Sequence, residues 1–146
     1  MSSQALIQVK NYADPRWRTI RPADYTDIDP AVNEGYFPVQ ETGQGRVLVE
    51  YVQLKRVVTV QEMLEEINRR ELGLPNRPEA ESSFDQHPDA HYIYPVIGLC
   101  GRIVERDGRR YISYVYAHES RRGIGFRKLS SLCYDYNRFL AVQRKK

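Results

Sequence analysis

Long apolar runs are missing from this 146-residue chain. The longest, such as Val47-Leu48-Val49 and Pro95 to Cys100, fall far short of the ~20 residues that cross a bilayer as a helix. The N-terminus, MSSQALIQVK, has no basic stretch leading into an apolar one, so no secretory signal is read and a cytoplasmic location is expected. Cysteine is scarce. Cys100 and Cys133 are too few for a disulfide framework or, alone, for a four-ligand zinc site, and both are expected as buried free thiols. Also absent are G-x-S-x-G, H-E-x-x-H and a phosphate-cradling G-x-x-x-x-G-K-[ST]. Gly123-Ile124-Gly125 lacks the third glycine and following helix of a dinucleotide fingerprint, and is read as a turn or bulge beside a strand.

What is present fits one globular domain: 41% hydrophobic and 28% charged residues. The net charge of +3 hides an asymmetry. Residues 101–146 carry 12 basic and 4 acidic side chains, a net of +8, which leaves −5 for the first hundred. Such a split suits an anionic partner, or attraction between the two halves of one domain.

Residues 1–45 read as an N-terminal arm or long loop. After a short strand over 5–10, four prolines and three glycines break any helical period. Tyr12, Trp17, Tyr25, Tyr36 and Phe37 are spaced along it and are expected to pin it to the body. Residues 46–146 read as an α+β domain. RVLVEYVQLKRVV, over 46–58, is β-branched, with Val47, Val49, Tyr51 and Gln53 on one face. Thr59-Val60-Gln61-Glu62 is a capping box opening a helix over 60–72, with Val58 and Met63 as its hydrophobic staple. Glu65–Arg69 and Glu66–Arg70 are i,i+4 pairs, and Gly73 is placed to end the helix in the left-handed conformation. A short helix over 78–87 follows, opened by Pro78, with only Ala80 and Phe84 available to face a core. Antiparallel strands are expected over 94–143: one at 96–106, a hairpin turn at Asp107-Gly108, its partner over 110–117, a turn at 120–123, a strand at 126–132 and a last one at 138–143 before a basic tail. Helices grouped ahead of a strand meander, without βαβ alternation, predict a single α+β domain with one or two helices on a mostly antiparallel sheet.

Two constellations are candidate sites. His87 and His91 are four apart, as a helical metal pair requires, but Pro88 between them holds His87 at or before a helix start, so HPDAH is read as a turn. They are weak metal candidates, with His118 a further histidine for a small enzyme. The second is the basic, tyrosine-rich C-terminal half. Arg109, Arg110, Tyr114, Tyr116, Arg121, Arg122, Arg127 and Lys128 combine ring faces with cations, the chemistry that binds single-stranded nucleic acid. Tyrosines and arginines are also ordinary strand residues. The reading that needs fewest special residues is a binding or protein-interaction module with no cofactor and no catalytic centre, its partner a protein or a second copy, with no membrane involved. Nucleic acid is the alternative partner.

TVQEMLEEINRRELGL, His87-Pro88, YPVIGLCG, DGRRYISYV and RFLAVQRK, in that order and spacing, resemble a family of small bacterial proteins found mainly in metagenomic and candidate-phylum genomes. The resemblance implies an α+β domain and transfers no catalytic residue. The layout of strand, two helices and a run of strands is also similar to that of C-type-lectin-like domains, which are binding scaffolds.

Overall fold

A computed structural model describes residues 3–39 and 41–144; the expected basic tail at Lys145 and Lys146 lies outside them. Among the described residues, nine strands and two α-helices form an α+β domain. The strands are β1 (Ser3–Val9), β2 (Asp27–Ile28), β3 (Gly45–Val52), β4 (Val58–Thr59), β5 (Val96–Arg106), β6 (Arg109–His118), β7 (Arg121–Lys128), β8 (Leu132–Cys133) and β9 (Arg138–Val142). The helices are α1 (Val60–Arg69) and α2 (Arg77–Gln86). Seven strands form the main sheet in the order β1-β3-β9-β5-β6-β7-β2, while β4 and β8 pair separately. Every pairing is antiparallel except β5 with β9 and β2 with β7.

The strand period of two sorts the sheet's side chains onto two cores. In β9, Leu140 and Val142 pack on one face, with Ala80 and Phe84 of α2. Phe139 and Ala141 pack on the other, with Val60, Met63 and Ile67 of α1. This interior strand, third in the sheet order, is thus buried on both faces, which is why RFLAV is continuously apolar apart from its first residue.

The N-terminal segment supplies both edges of the main sheet. β1 pairs along its length with β3, and β2 adds to β7 at the far side. Between them the chain crosses the α2 side in 3-10 turns that open at Pro15 and Pro22. Tyr12, Trp17, Tyr25 and Phe37 are buried, and the indole Nε1 donates to the Asn11 carbonyl at 3.1 Å.

Several expected elements shift. The strand over 46–58 is two strands in two sheets, β3 ending at Val52 and β4 beginning at Val58. The capping box is formed: the Glu62 N–H donates to Thr59 Oγ1 at 3.1 Å, and Thr59 N–H to Glu62 Oε1 at 2.8 Å. But the helix stops at Arg69, and the left-handed residue after it is Glu71 (φ 60°), not Gly73. Gly73 instead exchanges two backbone hydrogen bonds with Val142, at 2.8 and 2.9 Å, closing the interhelical link over β9. Asp107 and Gly108, both at positive φ, make the two-residue hairpin turn the Asp-Gly pair predicts. The second turn falls at Glu119-Ser120 rather than 120–123, because His118 already pairs with Arg121. Accordingly β7 covers Arg121–Lys128, and Gly123-Ile124-Gly125 is mid-strand, not a turn; the strand expected over 126–132 is the end of β7, a turn, and the start of β8.

Of the two i,i+4 pairs on α1, Glu66 makes its own and adds Arg69, while Glu65 accepts from Gln61 instead. Hydrogen bonds from Arg69 and then Arg70 hold the Glu66 carboxyl down at about 2. An unfolded glutamate titrates near 4.3. The folded value is depressed, so this contribution to stability is complete above the unfolded value and fades as pH falls toward the folded one. A carboxyl-carbon NMR titration should place the Glu66 midpoint near 2; a midpoint near 4 would show that the two arginines do not hold it in solution.

Candidate functional site

Alternation along β6 places Tyr114 and Tyr116 on the α1 face of the sheet, where their cross-strand neighbours on β7 are Gly125 and Gly123. The rings lie across those glycines. A Cβ at Gly123 would overlap Cε1 of Tyr116, and one at Gly125 would come within 3.3 Å of Tyr114 Cε1. The two rings stack with centroids 6.3 Å apart at 22°. Tyr116 donates its hydroxyl hydrogen bond to Asp27 of β2, which also receives Arg121 Nη2 on both oxygens, at 2.9 and 3.1 Å. The Tyr116 hydrogen bond, then Arg121, holds the Asp27 carboxyl below the usual range. Burial first, then Asp27, pushes the Tyr116 phenol up.

Beside them, the chain between β8 and β9 turns on a bond from Asn137 N–H to the Tyr134 carbonyl, 3.1 Å, and on Gln53 Nε2 donating to the Asp135 carbonyl, 2.8 Å. This turn carries Tyr134 and Tyr136, whose rings are parallel within 2° with centroids 5.7 Å apart. They are 51% and 45% exposed. The four tyrosines, Pro95, Ile97, Arg127 and Asn137 line a cleft of about 270 Å³. The Arg127 guanidinium lies 5.9 Å over the Tyr114 ring, within cation–π range, and Nη2 donates to the Leu132 carbonyl at 3.0 Å. Arg138 N–H donates to the Pro95 carbonyl at 3.1 Å, which brings the loop before β5 to the cleft's rim. In that loop Tyr92 and Ile93 are 69% and 71% exposed.

Of the eight residues proposed from sequence, the structure brings together Tyr114, Tyr116 and Arg127. Arg110 shares their face but stands opposite Glu105 at the hairpin end, and Arg109 stands opposite Arg106. Arg121 is engaged by Asp27. Arg122 turns to the α2 face and pairs with Asp85 and Glu81. Lys128, next to Arg127 in the strand, points to the opposite face. Cations and tyrosines that look interleaved in sequence are thus divided between two faces. Tyr134, Tyr136, Pro95, Ile97 and Asn137 were outside the sequence-based set. The first two lie between the strands expected over 126–132 and 138–143, and the signal for them is the Tyr-Asp-Tyr spacing in that gap.

The histidines do not converge. His87 Nε2 is 3.0 Å from the Leu6 carbonyl oxygen, His91 Nε2 3.3 Å from that of Phe84, and His118 Nε2 3.0 Å from that of Ile93. Residues Pro88–His91 form the single turn that Pro88 predicts. No group of three metal-binding side chains comes together among the described residues. Cys100 and Cys133 are buried free thiols on strands of different sheets, and burial above all pushes both thiols up, which disfavours the thiolate.

A second cluster, unforeseen from sequence, lies along α2. Beside Ala80 and Phe84, which pack on the sheet, the helix buries three charged residues, Arg77, Glu79 and Glu81. Arg77 Nε donates to Glu81 Oε2 at 2.9 Å and to the Tyr25 hydroxyl at 2.8 Å, and Tyr25 donates in turn to Glu81. Arg77 Nη1 reaches the Thr19 and Arg16 carbonyls at 2.9 and 3.4 Å. Glu79 receives both Arg144 nitrogens, at 2.7 and 2.9 Å, and the Tyr12 hydroxyl at 3.0 Å. It also closes a second capping box with Asn76, at 2.9 Å each way. Burial, then the adjacent carboxylates, raises the phenols of Tyr12 and Tyr25. The cluster joins α2 to the N-terminal arm and to Arg144, and its hydrogen-bonding groups are largely spent on one another.

Comparison with protein-family models, curated proteins and solved structures finds no match for the chain. No helix among the described residues is long and apolar enough to cross a membrane.

Proposed function

We propose that this protein is a binding module that recognises a partner polypeptide through the tyrosine cleft, without transforming it. The observation that carries the reading is the pair Tyr134 and Tyr136: parallel, half-exposed rings fixed by a hydrogen-bonded turn, beside a second stacked pair. Large rings left open to water on a rigid scaffold are the anchors that dominate interfaces, each contributing about 2 kcal/mol or more when buried by a partner. One backbone hydrogen bond and one from the Gln53 side chain hold the turn, so less ordering entropy is lost on binding.

Single-stranded nucleic acid is the second reading, favoured by Arg127 over Tyr114. Its electrostatic support is thin. Arg121 and Arg122 are engaged by carboxylates and Arg110 stands opposite one, which leaves Arg127 as the cleft's own cation. One neutralised phosphate gives a salt slope of only about −0.7.

Selection of a displayed random-peptide library on the intact protein tests the reading. Peptides should be enriched whose binding is lost in the double variant Tyr134→Ser, Tyr136→Ser. Enrichment indistinguishable from that on the double variant would overturn it.

A further inference from the structure

We infer that the occupant of the tyrosine cleft is a proline-containing segment in the polyproline II conformation; this rests on the binding reading above. Hydrogen-bonding capacity makes the first argument. No carboxylate lines the cleft, and its polar groups are the tyrosine hydroxyls, the Asn137 amide and the donor-only guanidinium of Arg127. Tyr116 spends its proton on Asp27, but the other three hydroxyls, the amide and the rest of the guanidinium can each donate. A polyproline II segment supplies acceptors to match: its backbone makes no internal hydrogen bonds, so every carbonyl is free, and each proline removes an N–H that would compete for the cleft's fewer acceptors. A helix would arrive with its carbonyls already used.

Topology makes the second argument. β6, which carries Tyr114 and Tyr116, is paired to β5 on one edge and to β7 on the other. A peptide crossing those rings therefore has no free strand edge to join, and must be held by side chains. Extended strands are recognised through main-chain pairing, whereas polyproline II segments are recognised by aromatic-lined grooves. Pyrrolidine rings are flat and apolar enough to pack on tyrosine faces, and the segment loses little entropy because it is already extended when free.

The test is a titration of the isotope-labelled full chain with a nine-residue oligoproline, followed by amide NMR, with a nine-nucleotide oligo-dT alongside. Shifts are expected at Ile97, Tyr114, Tyr116, Arg127 and residues 134–137. Tyr136→Ala should weaken binding about ten-fold or more. Tyr134→Ala should do the same, so one poorly folded variant does not decide the matter. Oligoproline shifts that fall elsewhere would overturn the inference. So would oligo-dT, but not oligoproline, perturbing the cleft. If oligoproline gives no shifts while displayed peptides of other composition still bind through Tyr134 and Tyr136, the inference fails and the binding reading stands. If neither binds, both fail.

Discussion

Replacing Arg77 by alanine should destabilise the fold by about 3–5 kcal/mol, the range found when one partner of a buried ion pair is removed. Arg77 is buried, and so is its partner Glu81. Truncation would leave that carboxylate with the Tyr25 hydroxyl and with Arg122 Nη1 at 3.5 Å, too little to replace a guanidinium at 2.9 Å. It would also orphan the carbonyls of Thr19 and Arg16, which fasten the arm to α2. The only tryptophan of the chain, Trp17, reports directly, since the Arg77 guanidinium lies 5.5 Å from its ring centre. Urea unfolding followed by Trp17 emission measures the loss. A change under about 1 kcal/mol, typical of exposed pairs, would mean that Arg77 and Glu81 are hydrated in solution.

The paired substitution Arg77→Met with Glu81→Leu separates the charge from the packing. Removing both partners can be close to neutral, because desolvating two charges offsets much of their attraction. If the double variant is more stable than Arg77→Ala, the uncompensated carboxylate is the origin of the loss. If it is equally unstable, the carbonyls of Thr19 and Arg16 carry the weight, and the guanidinium acts mainly as a fastener for the arm. The two results assign different roles to the buried face of α2.

That face also marks where sequence reasoning stops. Local signals carried far: the Thr59 capping box, the Asp107-Gly108 turn and the apolar run of β9 follow from nearest neighbours, and each is in place. In α2 the same logic admits only Ala80 and Phe84 to the core, because arginine and glutamate ordinarily face water. Their partners, Tyr25 and Thr19 for Arg77 and Tyr12 and Arg144 for Glu79, lie more than fifty residues away, and no periodicity encodes such a meeting. Asn76 and Glu79 did carry a readable capping box, and Arg77, not Pro78, opens the helix. The cleft was half legible for a related reason. Period two places Tyr114 and Tyr116 on one face from sequence alone, whereas the approach of Tyr134 and Tyr136 depends on β9 lying beside β5.

Gly101→Ala should be the most damaging glycine substitution in β5, at about 3 kcal/mol. A Cβ at Gly101 would overlap the Ser113 Cβ on the neighbouring strand and the Tyr36 carbonyl oxygen of the arm. Neither obstacle is the mobile end of a side chain. Ser113 is held in the β6–β7 ladder, and Tyr36 is held by its edge-on packing against Phe126, 4.6 Å between centroids. Overpacking in a filled interior costs about 1–3 kcal/mol, and fixed neighbours on two sides place this case at the upper end. Gly98→Ala is the matched control. Its new methyl would lie 3.1 Å from the Ala80 Cβ and 3.5 Å from Val115 Cγ2, a crowding that a shift of α2 by a few tenths of an ångström relieves, so its cost should be about 1 kcal/mol or less. Chemical denaturation of the two variants ranks them. Equal losses would mean that the arm yields at Tyr36 as readily as α2 does at Ala80; the larger loss expected at Gly101 requires the arm to be seated as firmly as the strands beneath it.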